Sequence, residues 1–244
     1  MSQQVTTITF FRFDRWSTKI WAFLMMQFAR GPLRKVKGQE RFFLMGTGKQ
    51  GFSPWPDWST YALVQIWENK ETASYFFSSS MLYSSYVRKC AELLRVSMRS
   101  IEAKGEWGGV NPFRTSSELD KQQEMIAVIT RATIKTRYQF KFWNAVPAVS
   151  QRVFQSSGLR FTKGIGEIPF RNMATFSIWN SQEEMMAFAY RKKEHQTAIS
   201  MTKKLDWYSE ELFSRFQPYE ILGSYRGFQL LNKARVPKNT TWAR

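Results

Sequence analysis

The stretch Tyr61-Ala-Leu-Val-Gln-Ile-Trp67 returns with changes as Met173-Ala-Thr-Phe-Ser-Ile-Trp179, and the second tryptophan follows the first by 112 residues (179 − 67). Both stretches alternate in polarity and are rich in β-branched and aromatic residues, a pattern typical of strands. A helical pattern follows each stretch, and in the second copy Ser181 and Glu184 have the spacing of a capping box. The chain is therefore predicted to contain two copies of one unit.

Other segments recur in the same order along the chain. The paired segments are residues 42–48 with 161–166, 103–109 with 222–227, 8–13 with 129–134, and 17–29 with 140–150. Each copy then has the order β-α-β-β-α-β, the ferredoxin-like arrangement. Two such units packed sheet against sheet predict an α+β fold, a single-chain version of the dimeric α/β barrel.

The repeat predicts the domain boundaries. The first ferredoxin-like repeat is expected over residues 1–113 and the second over residues 125–232, with a polar linker over 114–124 and a tail over 233–244. The pair Gly164-Ile-Gly166 lacks the third glycine and the following helix of a phosphate-binding loop. Because Gly46-Thr-Gly48 echoes it, we interpret both as a turn common to the two copies.

Composition excludes several classes of protein. The chain has 244 residues, of which 43% are hydrophobic, and this excludes a disordered chain. A single cysteine, Cys90, excludes an intrachain disulfide, and a single histidine, His195, excludes a metal site of several histidines. No secretory signal is evident, and the apolar run at residues 20–29 is about half the length of a spanning helix. A cytoplasmic protein is expected.

The net charge of +17 predicts attraction to polyanions, to anionic lipid headgroups or to an acidic protein. The basic residues are spread along the chain and form no compact basic arm, so nucleic acid is not the favoured partner. A non-catalytic binding module for nucleic acid or an anionic membrane surface is the alternative that the charge alone supports.

His195 is the strongest candidate for a residue with a chemical role. Met185, Phe188, His195 and Ile199 have helical spacing and share one face of the second helix of copy two. The equivalent position in copy one is Tyr83, so the two copies use this position differently. The imidazole either pairs with a carbonyl or carboxylate inside the core or is an axial haem ligand, which needs one neutral histidine and an apolar wall. The thiolate of Cys90 is the rival ligand.

The chain also resembles a known family. The segments that carry the resemblance are residues 10–15 (FFRFDR), 51–54 (GFSP), 130–134 (TRATI), 142–143 (FW), 146–150 (VPAVS), 164–169 (GIGEIP), 175–179 (TFSIW), His195 and 210–216 (EELFSRF). Together they are similar to the spheroidene monooxygenase family, the acyclic carotenoid 2-ketolases.

The resemblance implies a haem enzyme that oxidises C-2 of an acyclic carotenoid with dioxygen and electrons from a ferredoxin-type donor. Two successive hydroxylations would give a gem-diol that loses water to a ketone. The resemblance also makes His195 the favoured axial ligand, because the family's histidine after the Phe-Ser-Ile-Trp strand falls there.

A haem pocket needs apolar walls and cations for the propionates. The predicted wall is formed by Phe176, Ile178, Met185, Phe188 and Ile199. Ordinary core packing explains the same residues, and that alternative stays open. Arg215 and Arg171 are candidate propionate partners, each with a surface role as the alternative.

A basic face suits an acidic ferredoxin and allows peripheral contact with the inner membrane face. The apolar run at residues 20–29 has two interpretations, a buried helix as the default and a segment that dips into the bilayer as the alternative. A further alternative for the whole protein is a cofactor-free barrel monooxygenase in which His195 is a base.

Overall fold

The computed structural model describes residues 3–49, 52–53, 55–154, 156–191 and 207–229. The first half contains β1 (Val5–Arg12), α1 (Trp16–Phe28), α2 (Arg30–Arg34), β2 (Gln39–Gly48), β3 (Pro56–Trp67), α3 (Lys70–Ser79), α4 (Met81–Lys89) and β4 (Glu92–Gly105). The second half contains β5 (Ile126–Ile134), a 3-10 turn (Thr136–Tyr138), α5 (Gln139–Phe154), β6 (Leu159–Ile168), β7 (Asn172–Trp179), α6 (Gln182–Arg191) and β8 (Tyr208–Gly223). Each half follows the predicted β-α-β-β-α-β order.

The strands form one closed barrel in the order β1-β3-β2-β6-β7-β5-β8-β4. Within each half the order is that of a ferredoxin-like sheet, and the two sheets join at two seams. The β4–β8 seam is long, while the β2–β6 seam consists of Gly46 opposite Gly166 and Thr47 opposite Ile165. Closure leaves none of the eight described strands at an open sheet edge. The predicted single-chain dimeric α/β barrel is confirmed.

Two layers of side chains form the core. The barrel interior is filled by alternate residues of every strand, such as Phe10, Val64 and Phe216. The helices lie outside the barrel and cover the other face of the strands, where Phe11 and Leu63 pack in the first half. Smaller apolar clusters lie outside the barrel in the second half.

Strand registers correct two details of the predicted repeat. Leu44 pairs with Leu63, and Gly164 pairs with Thr175. Since Thr175 is the equivalent of Leu63, Gly164 is the equivalent of Leu44, and Gly46 aligns with Gly166, 120 residues later (166 − 46), rather than with Gly164. The prediction of a turn at both glycine pairs is wrong, because all four glycines lie within β2 and β6, and Gly46 pairs with Gly166 across the seam.

The second helix of the first copy is broken into α3 and α4 at Ser80. The Ser80 hydroxyl accepts a hydrogen bond from the Tyr83 amide at 3.2 Å, so Ser80 is the N-cap of α4. In the second copy Ser181 caps α6 by accepting from the Glu184 amide at 3.3 Å, as its sequence spacing predicted. Helix α6 is described over Gln182–Arg191, and both His195 and Ile199 lie outside the described residues.

Helix α1 is only partly buried. Ala22 is buried against the first-half sheet, but the opposite side of the helix is exposed. The default expectation of a buried helix is therefore wrong for one of its faces. No helix in the described part of the chain is both long and apolar enough to cross a bilayer.

The domain boundaries predicted from the repeat stay a prediction. Residues 114–124 contact both halves of the long seam, since the Ser116 amide donates to Ser100 O at 2.9 Å and the Asp120 amide donates to Gln217 Oε1 at 2.7 Å. The tail beyond residue 229 lies outside the described residues.

Candidate functional site

The residues of the predicted wall lie on opposite sides of β7. Phe176 and Ile178 point into the barrel and are fully buried in its interior. Met185 and Phe188 lie on α6, outside the barrel. Successive residues of a strand face opposite ways, so the side chains that face α6 are those of Thr175, Ser177 and Trp179. Phe176 and Ile178 therefore cannot share a pocket wall with Met185 and Phe188.

The outer face of the second half nevertheless gathers the remaining described candidates. The Phe188 ring stacks on the Trp179 indole with centroids 5.3 Å apart, and Met185 packs with Val128 of β5. Arg215 of β8 stands opposite Val128 in the strand register, on this same face. The structure thus brings Met185, Phe188 and Arg215 to one side of the sheet.

Arg215 already has an anionic partner. Its guanidinium pairs with the Glu102 carboxylate, which also contacts Lys104 Nζ at 2.5 Å. Hydrogen bonds from Lys104 and Arg215 lower the pKa of Glu102, so the pair is ionised at neutral pH. The other candidate cation, Arg171, is exposed at the turn between β6 and β7.

The first half shows how its outer layer is filled around Tyr83, the equivalent of His195. The Tyr83 ring contacts Phe77, Phe76 and Phe11 at centroid distances of 4.9, 5.9 and 6.1 Å. Its hydroxyl accepts a hydrogen bond from Arg95 Nη1 at 3.2 Å. Burial raises the pKa of Tyr83. Aromatic rings and the Arg95 guanidinium therefore surround Tyr83, which is buried.

The corresponding space in the second half is lined by much smaller side chains. The strand registers and the repeat give five replacements from the first half to the second: Phe11 by Ala132, Phe42 by Thr162, Leu44 by Gly164, Leu63 by Thr175, and Phe77 by Ala189. The four first-half strand residues pack in the outer core cluster. We call the second-half surface formed by Ala132, Thr162, Gly164 and Thr175 the slot.

The slot carries less side-chain volume than the equivalent surface of the first half, as a site for a flat apolar group would require. At the five replaced positions, three phenyl rings and two isobutyl groups of the first half are absent, and Gly164 and Ala132 would let a ligand approach the sheet closely. The Thr162 hydroxyl is buried and has no hydrogen-bond partner among the described residues, as expected of a polar atom that faces a ligand space. A porphyrin seated between this sheet face and the helices would replace the missing side chains.

A cavity opens beside the slot at the β2–β6 seam. It has a volume of about 70 Å³. Its lining includes the four glycines of β2 and β6 named above and the aromatic residues Phe52, Trp143 and Phe170. We call it the seam cavity.

Trp143 of α5 fixes one wall of the seam cavity. Its Nε1 donates to the Phe170 carbonyl at 2.8 Å. Phe170 has a φ of 65°, a conformation that bulky residues rarely adopt. Sequence reasoning missed both the slot and this wall. The signal that could have found them is the size difference between equivalent positions of the two copies.

Cys90 lies far from the slot, on the first half, where it caps the C-terminus of α4. Its Sγ donates to the Val87 carbonyl at 3.4 Å. Burial raises the pKa of the Cys90 thiol to about 11, so the thiolate is scarce at neutral pH. This environment is typical of a small buried hydrophobe. In the described part of the chain, no three His, Cys, Asp or Glu residues gather as a metal site.

Two buried cations in the barrel are held by carboxylates. Arg131 pairs with Glu210 and lies 3.5 Å from Glu167. Lys163 Nζ donates to the Gly48 carbonyl at 2.8 Å and lies 3.5 Å from Asp57. By alternation, Arg131 on β5 and Lys163 on β6 point into the barrel, so both ion pairs lie in the barrel interior and not in the slot.

Comparison with known proteins agrees with the family that the sequence resembles. No protein-family model matches the chain. A spheroidene monooxygenase of Rhodobacter capsulatus is 33% identical over 225 residues, which cover 91% of this chain and 93% of the relative. A spheroidene monooxygenase of Cereibacter sphaeroides is 30% identical over 226 residues, covering 92% of this chain and 69% of the relative.

Solved structures show the same fold at low identity. An aldoxime dehydratase has a TM-score of 0.59 at 10% identity, covering 88% of this chain and 81% of that chain. The aldoxime dehydratase OxdRE, solved in complex with butyraldoxime, has a TM-score of 0.58 at 9% identity, covering 89% and 80% of the two chains. These likenesses concern the fold. The identity to the two curated relatives extends over nearly the whole chain, and the protein therefore belongs to the spheroidene monooxygenase family.

Proposed function

We propose that the protein is a haem-dependent monooxygenase that oxidises C-2 of an acyclic carotenoid to a ketone, with dioxygen and electrons from a ferredoxin-type donor. The relatives' name supports a monooxygenase that acts on a carotenoid. The observation that supports haem binding is the slot. Its small side chains in the second half stand where the first half has a filled aromatic layer.

His195 is the proposed axial ligand. Its equivalent Tyr83 points at the outer face of the first-half sheet and contacts Phe11. The residue in the place of Phe11 is Ala132, so an imidazole placed like the Tyr83 ring would face a methyl group instead of a phenyl ring. Met185 and Phe188 would close the slot from the α6 side, and Arg215 would offer a cation at its edge.

When bound, the haem would supply the activation of dioxygen. The chain's own residues would bind and orient both partners and exclude water. The apolar side chains of Met185, Phe188 and Val128 keep the sheet face dry beside the slot, which prevents loss of a reactive oxidant to solvent. The buried Thr162 hydroxyl is a hydrogen-bond donor within the slot.

The seam cavity is the proposed place for the end of the polyene. It borders the slot at Gly164, and its lining includes glycines and aromatic residues beside the polar Thr47, Ser53 and Asn172. The apolar part of this lining would bind a hydrocarbon by contact area. Asn172 Oδ1, which is buried and has no hydrogen-bond partner among the described residues, adds one polar atom to the lining. Two hydroxylations at one carbon held there would give a gem-diol, which loses water to the ketone.

The net charge of +17 supports an acidic electron donor. An electropositive surface speeds encounter with an acidic ferredoxin and makes its association sensitive to salt.

The test is turnover of spheroidene by the purified, haemin-supplied protein with ferredoxin, ferredoxin reductase and NADPH. We expect the 2-ketone and no product with His195→Ala. A cofactor-free monooxygenase would give product without haemin, and His195→Ala would stop turnover while leaving the spectrum unchanged. A binding module would give no product under any condition and would bind polyanions with a steep salt dependence. Either result overturns the proposal.

A further inference from the structure

Helix α1 presents a row of large apolar side chains to solvent. The exposed members, together with the neighbouring Trp58 of β3, are Trp16, Ile20, Phe23, Leu24 and Phe28. Trp16, Phe23 and Phe28 are 75%, 51% and 66% exposed. Successive members of the row on α1 are mostly three or four residues apart, which places them on one side of the helix. We call this set the α1 face.

The α1 face is continuous with the start of β3. The Phe23 and Trp58 rings meet edge to face, with centroids 5.4 Å apart. Three residues before Trp58 lies the exposed Trp55, whose ring contacts Phe170 of the seam cavity at 5.8 Å. Contiguous apolar surface of this kind is rare on a protein that meets only water, and it marks a contact surface.

The charge around the α1 face identifies what it contacts. Residues 15–37 contain six basic residues and no Asp or Glu: Arg15, Lys19, Arg30, Arg34, Lys35 and Lys37. None of the six forms a salt bridge with a described carboxylate. Arg30 Nε donates to the Met26 carbonyl of α1 at 3.0 Å, which holds this cation beside the apolar row.

We propose that the α1 face docks on an anionic lipid bilayer. The aromatic and aliphatic side chains would enter the boundary between headgroups and acyl chains, and the surrounding cations would meet lipid phosphates. An acidic protein would satisfy the cations but would leave the wide apolar row without a match. This proposal depends on the α1 face alone and does not require the proposed catalytic function.

The position of Trp55 gives the docking a functional consequence. A bilayer against Trp58 would lie close to Trp55 and hence to the Phe170 side of the seam cavity. A lipid-soluble substrate could then pass from the bilayer to the protein without crossing water, which would favour uptake of a long hydrocarbon.

Co-sedimentation of the full chain with vesicles tests the proposal. Vesicles of phosphatidylcholine mixed with phosphatidylglycerol are compared with pure phosphatidylcholine vesicles at low salt. The wild type should bind the mixed vesicles. Phe23→Ser with Leu24→Ser should weaken binding at least about 10-fold, because two side chains lose their apolar burial. Arg34→Gln with Lys35→Gln should weaken it about 30-fold, and only on anionic vesicles.

The matched control is Tyr75→Ser with Met81→Ser, which removes two exposed apolar side chains from α3 and α4. It should bind vesicles within about twofold of the wild type, a change as small as an ordinary surface substitution makes. All variants should keep the wild-type circular dichroism, because every changed residue is exposed.

Three outcomes overturn the proposal. The first is a wild type that does not bind mixed vesicles, and the second is a Phe23/Leu24 variant that binds them equally well. The third is a wild-type dimer, by light scattering, that the Phe23/Leu24 variant turns into a monomer, since a second copy would then cover the α1 face. None of these outcomes bears on haem binding or turnover, so the two proposals fail separately.

Discussion

Replacing Ala132 by phenylalanine puts back the ring that the first copy has at Phe11. Phe11 is 1% exposed and packs against Tyr83 and Tyr86, with ring centroids 6.1 and 4.9 Å away. Ala132 occupies the same register position opposite Met173 that Phe11 occupies opposite Tyr61. If the slot is a ligand site, a phenyl ring there should fill it.

The free energy of unfolding of the haem-free protein separates a slot from a packed core. In a packed core the added ring costs about 1–3 kcal/mol. In an open slot it buries apolar surface, so Ala132→Phe should leave the haem-free protein unchanged or stabilise it by about 1 kcal/mol, less than the value of a fully buried side chain. The matched variant Phe11→Ala removes a ring from a filled layer and should cost about 3–5 kcal/mol.

The assay combines urea unfolding of the haem-free proteins with a haemin titration followed by absorption. Ala132→Phe should lose haemin uptake, and Phe11→Ala, measured well below its unfolding midpoint, should keep it. Thr175→Leu repeats the test at the position equivalent to Leu63. The slot interpretation is refuted if Ala132→Phe binds haemin like the wild type, or if it destabilises the haem-free protein by more than about 1 kcal/mol.

Three further predictions concern other sites. Because burial raises the pKa of Cys90 to about 11, iodoacetamide at pH 8 should alkylate it about 100-fold more slowly than free cysteine; a free-cysteine rate would contradict its burial. At Asp57, burial opposes ionisation, but hydrogen bonds from Ser59 and the charges of Lys163 and Arg226 outweigh it and lower the pKa. The carboxylate therefore stabilises the fold above about pH 4, and this contribution is lost as pH falls through the lowered pKa. Asp57→Asn should reduce the fall in the free energy of unfolding at acid pH. The same fall in wild type and variant would show that Asp57 is not responsible. Phe170→Gly should relieve about 1 kcal/mol of backbone strain, measured by denaturation. The same variant should weaken carotenoid binding, measured by titration, and unchanged binding would exclude Phe170 from the polyene site.

The duplicated fold could be predicted because segments from all four strands and the first helix of one copy recur in the same order in the other. The alignment of β2 with β6 could not be fixed, since glycine pairs two residues apart align equally well in either register. Only the pairing of Gly164 with Thr175 decides it. The same ambiguity made glycines within two paired strands look like turns.

The pocket wall was misplaced for a physical reason. The alternation in β7 correctly groups Phe176 with Ile178, and an apolar strand face was assumed to meet the helix. In a closed barrel the most apolar face points inward, so the helix covers Thr175 and Ser177 instead. The size contrast between Phe11 and Ala132 was already present in the sequence, but it has meaning only once the two residues occupy equivalent positions.

Helix α1 shows a different limit. An apolar pattern indicates that a side chain leaves water, but it does not say whether protein or lipid receives it. Ala22 packs on the sheet, while Trp16 and Phe28 point to solvent. The apolar pattern of the sequence does not distinguish the buried residue from the two exposed ones.

The absorption spectrum of the purified protein with added haemin tests the central claim most directly. The account predicts a Soret band for the wild type and its loss or a marked shift in His195→Ala, with no change in Cys90→Ala. A wild type without a Soret band, or a His195→Ala spectrum identical to that of the wild type, would contradict it.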